Sequence, residues 1–212
     1  IELKGLSAKV EGNGFDGDGS MYYFGSFYDS LGKGEIVYTN SWEKERQNIL
    51  DTTSQGDRVT SPQPWALESF KSIVDYAKSE NVIIIPVLVP AAPMVMEIMD
   101  EGPETFRLGL DQLREQLPRL SPYFADFVDP REYGSDECEF MDAYHGGEVT
   151  YLRIVLGLSE MSDSPLKPYV RRNFIKRQIK EYENEIQITE GEIGSRFKNI
   201  RRIKFSPMCE GV

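Results

Sequence analysis

The chain has 212 residues, of which 40% are hydrophobic and 11% aromatic, so it can bury a core and its length suits one domain better than two. A formal net charge of −11 argues against nucleic acid or anionic lipid as the main partner, since both favour clustered Lys and Arg. The sequence has no apolar run of about 20 residues that could span a membrane. It also lacks zinc-type cysteine spacing, so we predict neither a metal nor a cofactor.

Residues 1–60 are rich in Gly, Asp, Ser and aromatic side chains and show no sustained helical period, so we expect an irregular region packed on the main domain. Its predicted elements are two short strands and a helix, at residues 21–24, 35–39 and 43–50. The alternating carboxylates of Asp16–Ser20 resemble a calcium loop, but Phe27 stands where an EF-hand requires Glu, which favours a simple turn. The chain opens on Ile1 rather than Met, and we expect a piece of a longer protein.

Residues 61–160 carry the pattern of an α/β core. Apolar side chains recur at helical spacing from the start signal Ser61-Pro62 to Lys78. Val82 to Val89 is a continuous, mostly β-branched run, which is typical of a strand covered on both faces in a parallel sheet. Further helices are predicted at residues 94–99, 103–116 and 148–158, and a second strand at 123–128. This order predicts an α/β fold with its catalytic groups at the carboxyl ends of the strands.

Residues 161–212 form a charged tail. A helix is predicted at 169–185, with an apolar stripe formed by Phe174, Ile175, Ile179 and Tyr182, and an edge strand at 200–205. The basic residues of this helix are Arg171, Arg172, Lys176, Arg177 and Lys180. They make it a candidate surface for a protein partner, although a solvated helix face is the favoured interpretation. The two cysteines of the chain, Cys138 and Cys209, are interpreted as free thiols, with one bridge as the alternative.

The only histidine of the chain, His145, follows Asp142 by three positions. A carboxylate at this spacing can orient the imidazole, fix its tautomer and stabilise it once protonated. The alternative is a histidine hydrogen-bonded in a polar loop, with Asp142 capping the next helix. Two neighbouring carboxylates, Glu137 and Glu139, could compete for the ring, but exposed loop charge is the favoured interpretation.

The run Phe140–Glu148, followed by Tyr151–Ile154, resembles the last conserved block of the SGNH, or GDSL-type, hydrolase and acyltransferase superfamily. Val82 to Pro90 is similar to that family's penultimate core strand. The resemblance covers about residues 61–158 and is closest to the bacterial cell-surface branch linked to polysaccharide O-acetylation. It implies a flavodoxin-like parallel sheet between helices, incomplete here at its N-terminus. It also implies His145 as general base, Asp142 as its orienting residue and an extracytoplasmic location.

The serine nucleophile that the resemblance requires is not evident. The nearest match to the family's Gly-Asp-Ser turn is Tyr28-Asp29-Ser30, with Tyr28 where Gly is expected, and too little chain separates it from Ser61 for the intervening strands. Ser30 is therefore a weak candidate nucleophile, and Ser20 a weaker one. Either the serine precedes Ile1, or it is absent and the chain is a binding or structural relic.

The substrate is predicted to contact the loop after the first core strand. Small residues there, Pro90 and Ala91, leave room for an acyl or sugar group, but prolines also simply end strands. Tyr144 and Trp65 are candidates for a sugar site, with the protein core as the alternative. The sequence predicts an esterase or O-acyltransferase acting on a carbohydrate acyl ester. The alternatives are a non-catalytic polysaccharide-binding or assembly domain, and an incidental Asp-x-x-His whose side chains do not touch.

Overall fold

A computed structural model describes six stretches of the chain, residues 14–15, 21–22, 42–54, 61–102, 107–140 and 142–185. In these stretches the protein is mixed α/β and mostly helical. The chain divides into two compact units, one of residues 1–39 with 188–204 and one of residues 40–187 with 205–212. The predicted regions 1–60, 61–160 and 161–212 stay predictions.

The described part of the first unit is one antiparallel pair of strands. Strand β1 (Gly14–Phe15) pairs with β2 (Met21–Tyr22), so that Gly14 lies opposite Tyr22. The strand predicted at 21–24 is therefore present in its first two residues. The predicted strands at 35–39 and 200–205, as well as Ser20 and Ser30, lie outside the described residues.

The second unit contains the described helices, and each lies where local sequence signals predict one. They are α1 (Trp42–Ser54), α2 (Pro64–Ser79), α3 (Pro93–Glu101), α4 (Leu108–Leu120), α5 (Glu148–Glu160) and α6 (Arg172–Glu181). Two of them start with proline, whose fixed φ suits the first helical turn. Among the described residues, no helix is long and apolar enough to cross a membrane.

Two parallel strands form the small sheet of this unit, β3 (Val87–Leu88) and β4 (Ala125–Asp126). The N–H of Phe127 donates to the carbonyl of Leu88 at 3.0 Å. Past the strands' carboxyl ends, the N–H of Ala91 donates to the carbonyl of Val128 at 3.1 Å. The segments that follow β3 and β4 therefore leave the sheet side by side, at the edge where parallel sheets present ligand loops. The two strands give the α/β class, and the larger flavodoxin-like sheet stays a prediction.

The predicted burial of the first core strand is wrong at both ends of the run. Val82, Ile83 and Val89 are each more than half exposed. Within the described ranges β3 pairs with β4 alone. The β-branched residues of the run favour an extended backbone, but they do not ensure that both faces of the strand are buried. Trp65 and Ile73 on α2 are also more than half exposed, although their spacing correctly predicts the helix.

Two hydrophobic clusters support the loops at the carboxyl edge. The first joins α1, α3 and the segment before α5, through Ile49, Ala92, Val95, Ile98, Phe140 and Ala143. The second packs β4 against α5, through Ala125, Ile154 and Leu158. Helices α5 and α6 also pack together. Contacts α1–α3 and α5–α6 therefore cross both predicted region boundaries, at residues 60 and 160.

Candidate functional site

The segment between Phe140 and Gly146 is a closed loop fixed at its base. The two residues form an isolated antiparallel bridge, and the N–H of Gly147 donates to the carbonyl of Glu139 at 2.6 Å. Phe140 and Ala143 are completely buried. The N–H of Ala92, just before α3, donates to the carbonyl of Ala143 at 2.9 Å. The loop is therefore attached to the segment that follows β3, at the edge predicted to hold the site.

Asp142 organises the turn inside this loop. Its Oδ1 accepts hydrogen bonds from the backbone N–H groups of Tyr144 and His145, each at 2.9 Å. An Asp that binds amides two and three residues ahead stabilises a local turn. Helix α5 instead has Gly147 as its N-cap, without a side-chain hydrogen bond. The alternative in which Asp142 caps the following helix is therefore wrong.

The same carboxylate binds the imidazole of His145. Ring Nδ1 lies 2.8 Å from Oδ1 and 2.7 Å from Oδ2 of Asp142. A carboxylate only accepts, so Nδ1 carries the hydrogen and the neutral ring keeps a lone pair on Nε2. The alternative in which the two side chains do not touch is wrong.

The outer edge of the ring is open. The His145 side chain is 67% exposed while that of Asp142 is 19% exposed. Among the described residues, Nε2 has no hydrogen-bond partner, and Ser30 lies outside those residues. The pair can therefore accept a proton at Nε2 from a group that reaches it, with the resulting imidazolium stabilised by Asp142.

Glu139 anchors the base of the loop from within the protein. Its side chain is 0% exposed and forms a two-point ion pair with Arg153, with Nη2–Oε1 at 2.8 Å and Nε–Oε2 at 3.0 Å. Ser135 Oγ donates to Oε2 at 2.6 Å, and the N–H of Asn184 donates to Oε1 at 3.3 Å. The interpretation of Glu139 as exposed loop charge is wrong, because its partner lies on α5, fourteen residues along the chain.

Glu137 is also buried, with 8% of its surface exposed, so that interpretation fails here too. Its Oε2 accepts from the N–H of Met94 in the first turn of α3 at 3.1 Å. Its Oε1 is buried and has no partner among the described residues. Burial raises the pKa of this carboxyl to about 7, helped by the negative charges of Glu97 and Asp136 and opposed by the Met94 hydrogen bond.

The predicted substrate contacts divide into two groups. Pro90 is buried and Ala91 half-buried, and the Ala91 amide is used in joining the two strands. Tyr144 and Trp65 are more than half exposed, so the core alternative is wrong for both. Tyr151, on the first turn of α5, is a neighbour that sequence analysis did not single out. Burial, and to a lesser extent the charge of Asp142, raise the pKa of its hydroxyl.

Cys138 corrects another sequence interpretation. It is buried and disulfide-bonded, so the free-thiol interpretation is wrong. The bridge was the alternative left open, and it could not be decided from spacing, because pairing depends on the approach of residues far apart in sequence.

A comparison with protein-family models finds no match, and comparisons with curated proteins and with solved structures likewise find no significant similarity. The function proposed below therefore rests on the residues and the geometry described above.

Proposed function

We propose that this chain carries the acid–base pair of an SGNH-like esterase or O-acyltransferase acting on a carbohydrate acyl ester. The observation that carries the proposal is the contact of 2.7 Å between Asp142 and His145 Nδ1, with Nε2 left open. The loop holding the pair is joined to the segment after β3, where α/β proteins place ligands.

In the proposed reaction, Nε2 of His145 takes the proton of a serine hydroxyl as the serine oxygen attacks the acyl carbonyl carbon. Asp142 stabilises the imidazolium that forms. The imidazolium then returns the proton to the departing sugar oxygen as the ester bond breaks, which leaves the acyl group on the serine oxygen. Water or an acceptor hydroxyl then attacks the acyl-serine, and His145 takes the proton of this attacking group and returns it to the serine oxygen. Ser30, or a serine outside this sequence, is the proposed nucleophile.

The surroundings of the ring favour a carbohydrate substrate in this proposal. Tyr144 and Tyr151 present exposed aromatic surface with a polar hydroxyl, a combination suited to packing against a sugar ring and bonding its hydroxyls. Pro90 and Ala91, in the loop after β3, are the proposed contacts of the acyl group. The bonded state of Cys138 fits an oxidising, extracytoplasmic compartment.

One observation favours a second candidate, a non-catalytic polysaccharide-binding or assembly domain. Within the described ranges no hydroxyl lies within hydrogen-bond distance of Nε2. A histidine without a nucleophile to activate has no role in acyl transfer. Under this candidate the open ring and the exposed tyrosines would bind sugar without cleaving an ester.

Acetyl-ester cleavage separates the two candidates. We expect His145→Ala to lower kcat/KM on an aryl acetate and on an O-acetylated polysaccharide by roughly 10²- to 10⁴-fold, the usual contribution of a general base. Lys78→Ala, which removes an exposed side chain on α2, is the control and should leave the rate unchanged.

A serine-directed fluorophosphonate, followed by peptide mapping, would identify the nucleophile. Equal rates for the parent and His145→Ala would overturn the proposed enzymatic activity. Retained polysaccharide binding, without covalent labelling, would then support the binding domain.

A further inference from the structure

The charge of this acidic chain is distributed unevenly. Residues 167–180 contain six Lys and Arg and no Asp or Glu, in a chain whose net charge is −11. Net charge describes the whole molecule, whereas a partner meets a local surface. These six cations, called the basic face below, lie in the turn before α6 and along that helix, which ends at Glu181: Lys167, Arg171, Arg172, Lys176, Arg177 and Lys180.

Packing directs the basic face outward. The apolar side of α6, formed by Ile175, Ile179 and Tyr182, is buried in a unit where α6 packs on α5. All six cations are exposed, including Arg172 and Lys180, which lie about 80° apart around the axis of α6. The cations therefore point away from the body of the unit.

Most of this charge is not neutralised within the described residues. Lys176 pairs with Glu160 at 2.8 Å, and Arg177 stacks on the ring of Phe174, 5.6 Å from its centroid. Arg172 and Lys180 have no carboxylate partner among the described residues. The start of the helix borders an open recess of about 590 Å³ lined by residues 170–174 and 176.

Aromatic side chains accompany the cations. Tyr169 is 82% exposed, and Phe174 is also exposed. Aromatic rings with a polar edge are suited to the boundary between lipid headgroups and water. Clusters of four to eight Lys and Arg on an amphipathic helix are a feature of surfaces that bind anionic lipid.

We propose that the basic face docks on the surface of an anionic lipid bilayer. Three of the cations, Arg171, Arg172 and Lys176, line the open recess and the other three lie outside it, which fits an extended partner better than a small enclosed ligand. Because the apolar side of α6 is already buried, the helix adsorbs through its charges and exposed rings and does not insert. The inference is independent of the proposed acyl-transfer chemistry.

Vesicle co-sedimentation of the full chain tests this inference. We expect binding to phosphatidylglycerol–phosphatidylcholine vesicles, little binding to phosphatidylcholine alone, and loss of binding as salt screens the charges. The double variant Arg172→Glu/Lys180→Glu should weaken binding at least about tenfold, since each surface cation near such a membrane contributes about 1 kcal/mol.

Lys78→Glu/Arg119→Glu makes the same charge change on α2 and α4 and should bind like the parent protein. Circular dichroism spectra of both variants should match that of the parent, which would show that both fold. Equal binding to the two kinds of vesicle, or equal losses in the two variants, would overturn the inference. Binding to soluble polyphosphate without any binding to vesicles would also overturn it and assign the face to a soluble polyanion.

Discussion

Two charge pairs lie on the same short segment, and they differ in how much of their hydrogen-bonding capacity is used. Glu139 and Arg153 meet in the interior, where Ser135 and Asn184 also donate to the carboxylate. Asp142 and His145 meet at the surface, with one ring nitrogen unused within the described ranges. The saturated pair can only hold the loop in place. The open pair still has an atom with which to do chemistry.

The two ion pairs are expected to contribute very different free energies to stability. Removing one partner of a buried ion pair leaves an uncompensated charge and costs about 3–5 kcal/mol, whereas exposed pairs contribute roughly 0–1 kcal/mol. We therefore expect mutations at the buried pair to change stability, and mutations at the exposed pair to change reactivity.

Arg153→Ala should give the largest loss of stability. It leaves the buried Glu139 side chain without its cationic partner, and we expect a decrease of about 3–5 kcal/mol in the free energy of unfolding, measured by urea denaturation. Arg119→Ala removes an exposed partner of Glu115 and is the control, with an expected change below about 0.5 kcal/mol. Similar losses of stability in both variants would contradict the expected difference between the buried and the exposed ion pair.

Glu137→Gln should stabilise the protein at neutral and higher pH. The folded-state pKa of Glu137 is raised to about 7 from an ordinary 4.5, so folding favours its protonated form. The stability of the parent should fall as pH rises from about 4.5 to 7 and then level off, by roughly 3 kcal/mol in total. The neutral amide avoids this loss.

Melting curves for the parent and Glu137→Gln across this pH range test the sign. The melting temperatures of the two proteins should be similar near pH 4.5 and should differ above pH 7, where that of the variant is higher. Glu132→Gln, which changes an exposed residue five positions before Glu137, is the control, and its melting temperature should follow that of the parent at every pH. A variant less stable than the parent at pH 8 would show that the buried carboxylate is favourable.

Gly146→Ala tests the packing at the base of the loop. An added Cβ would lie 2.8 Å from Thr150 Cγ2 and 3.1 Å from its Cβ, so we expect a loss of about 1–3 kcal/mol. Thr150→Ser removes the Cγ2 and keeps the hydroxyl, so the double variant should lose less than the sum of the two single changes. Strict additivity in thermal unfolding would argue against this contact.

Asp142→Asn should have the smallest effect on stability and a large one on the ring. Asn can still accept the amides of Tyr144 and His145, so we expect a stability change within about 0.5 kcal/mol. Its NH₂ group would face Nδ1 and move the imidazole hydrogen to Nε2. Nitrogen-15 NMR of the only histidine should show this tautomer reversal, and an unchanged tautomer would contradict the assigned role of Asp142.

The accuracy of sequence reasoning followed the range of the interactions involved. Local sequence predicts helices α2, α3 and α5, because proline starts and apolar spacing act over a few residues. The burial of the Val82–Val89 run was not predicted correctly. Whether a strand is covered depends on elements far away in sequence, and its composition records only its preference for extended backbone.

The local sequence predicts the contact between Asp142 and His145, because a spacing of three within a turn can bring two side chains together. The assembled fold establishes that Glu137 and Glu139 are buried, that Cys138 is bonded and that the ring of His145 is exposed. Glu137 is held by a hydrogen bond from α3, and Glu139 by its ion pair with Arg153 of α5. Burial and long-range pairing are properties of the assembled fold, and no local pattern of residues specifies them.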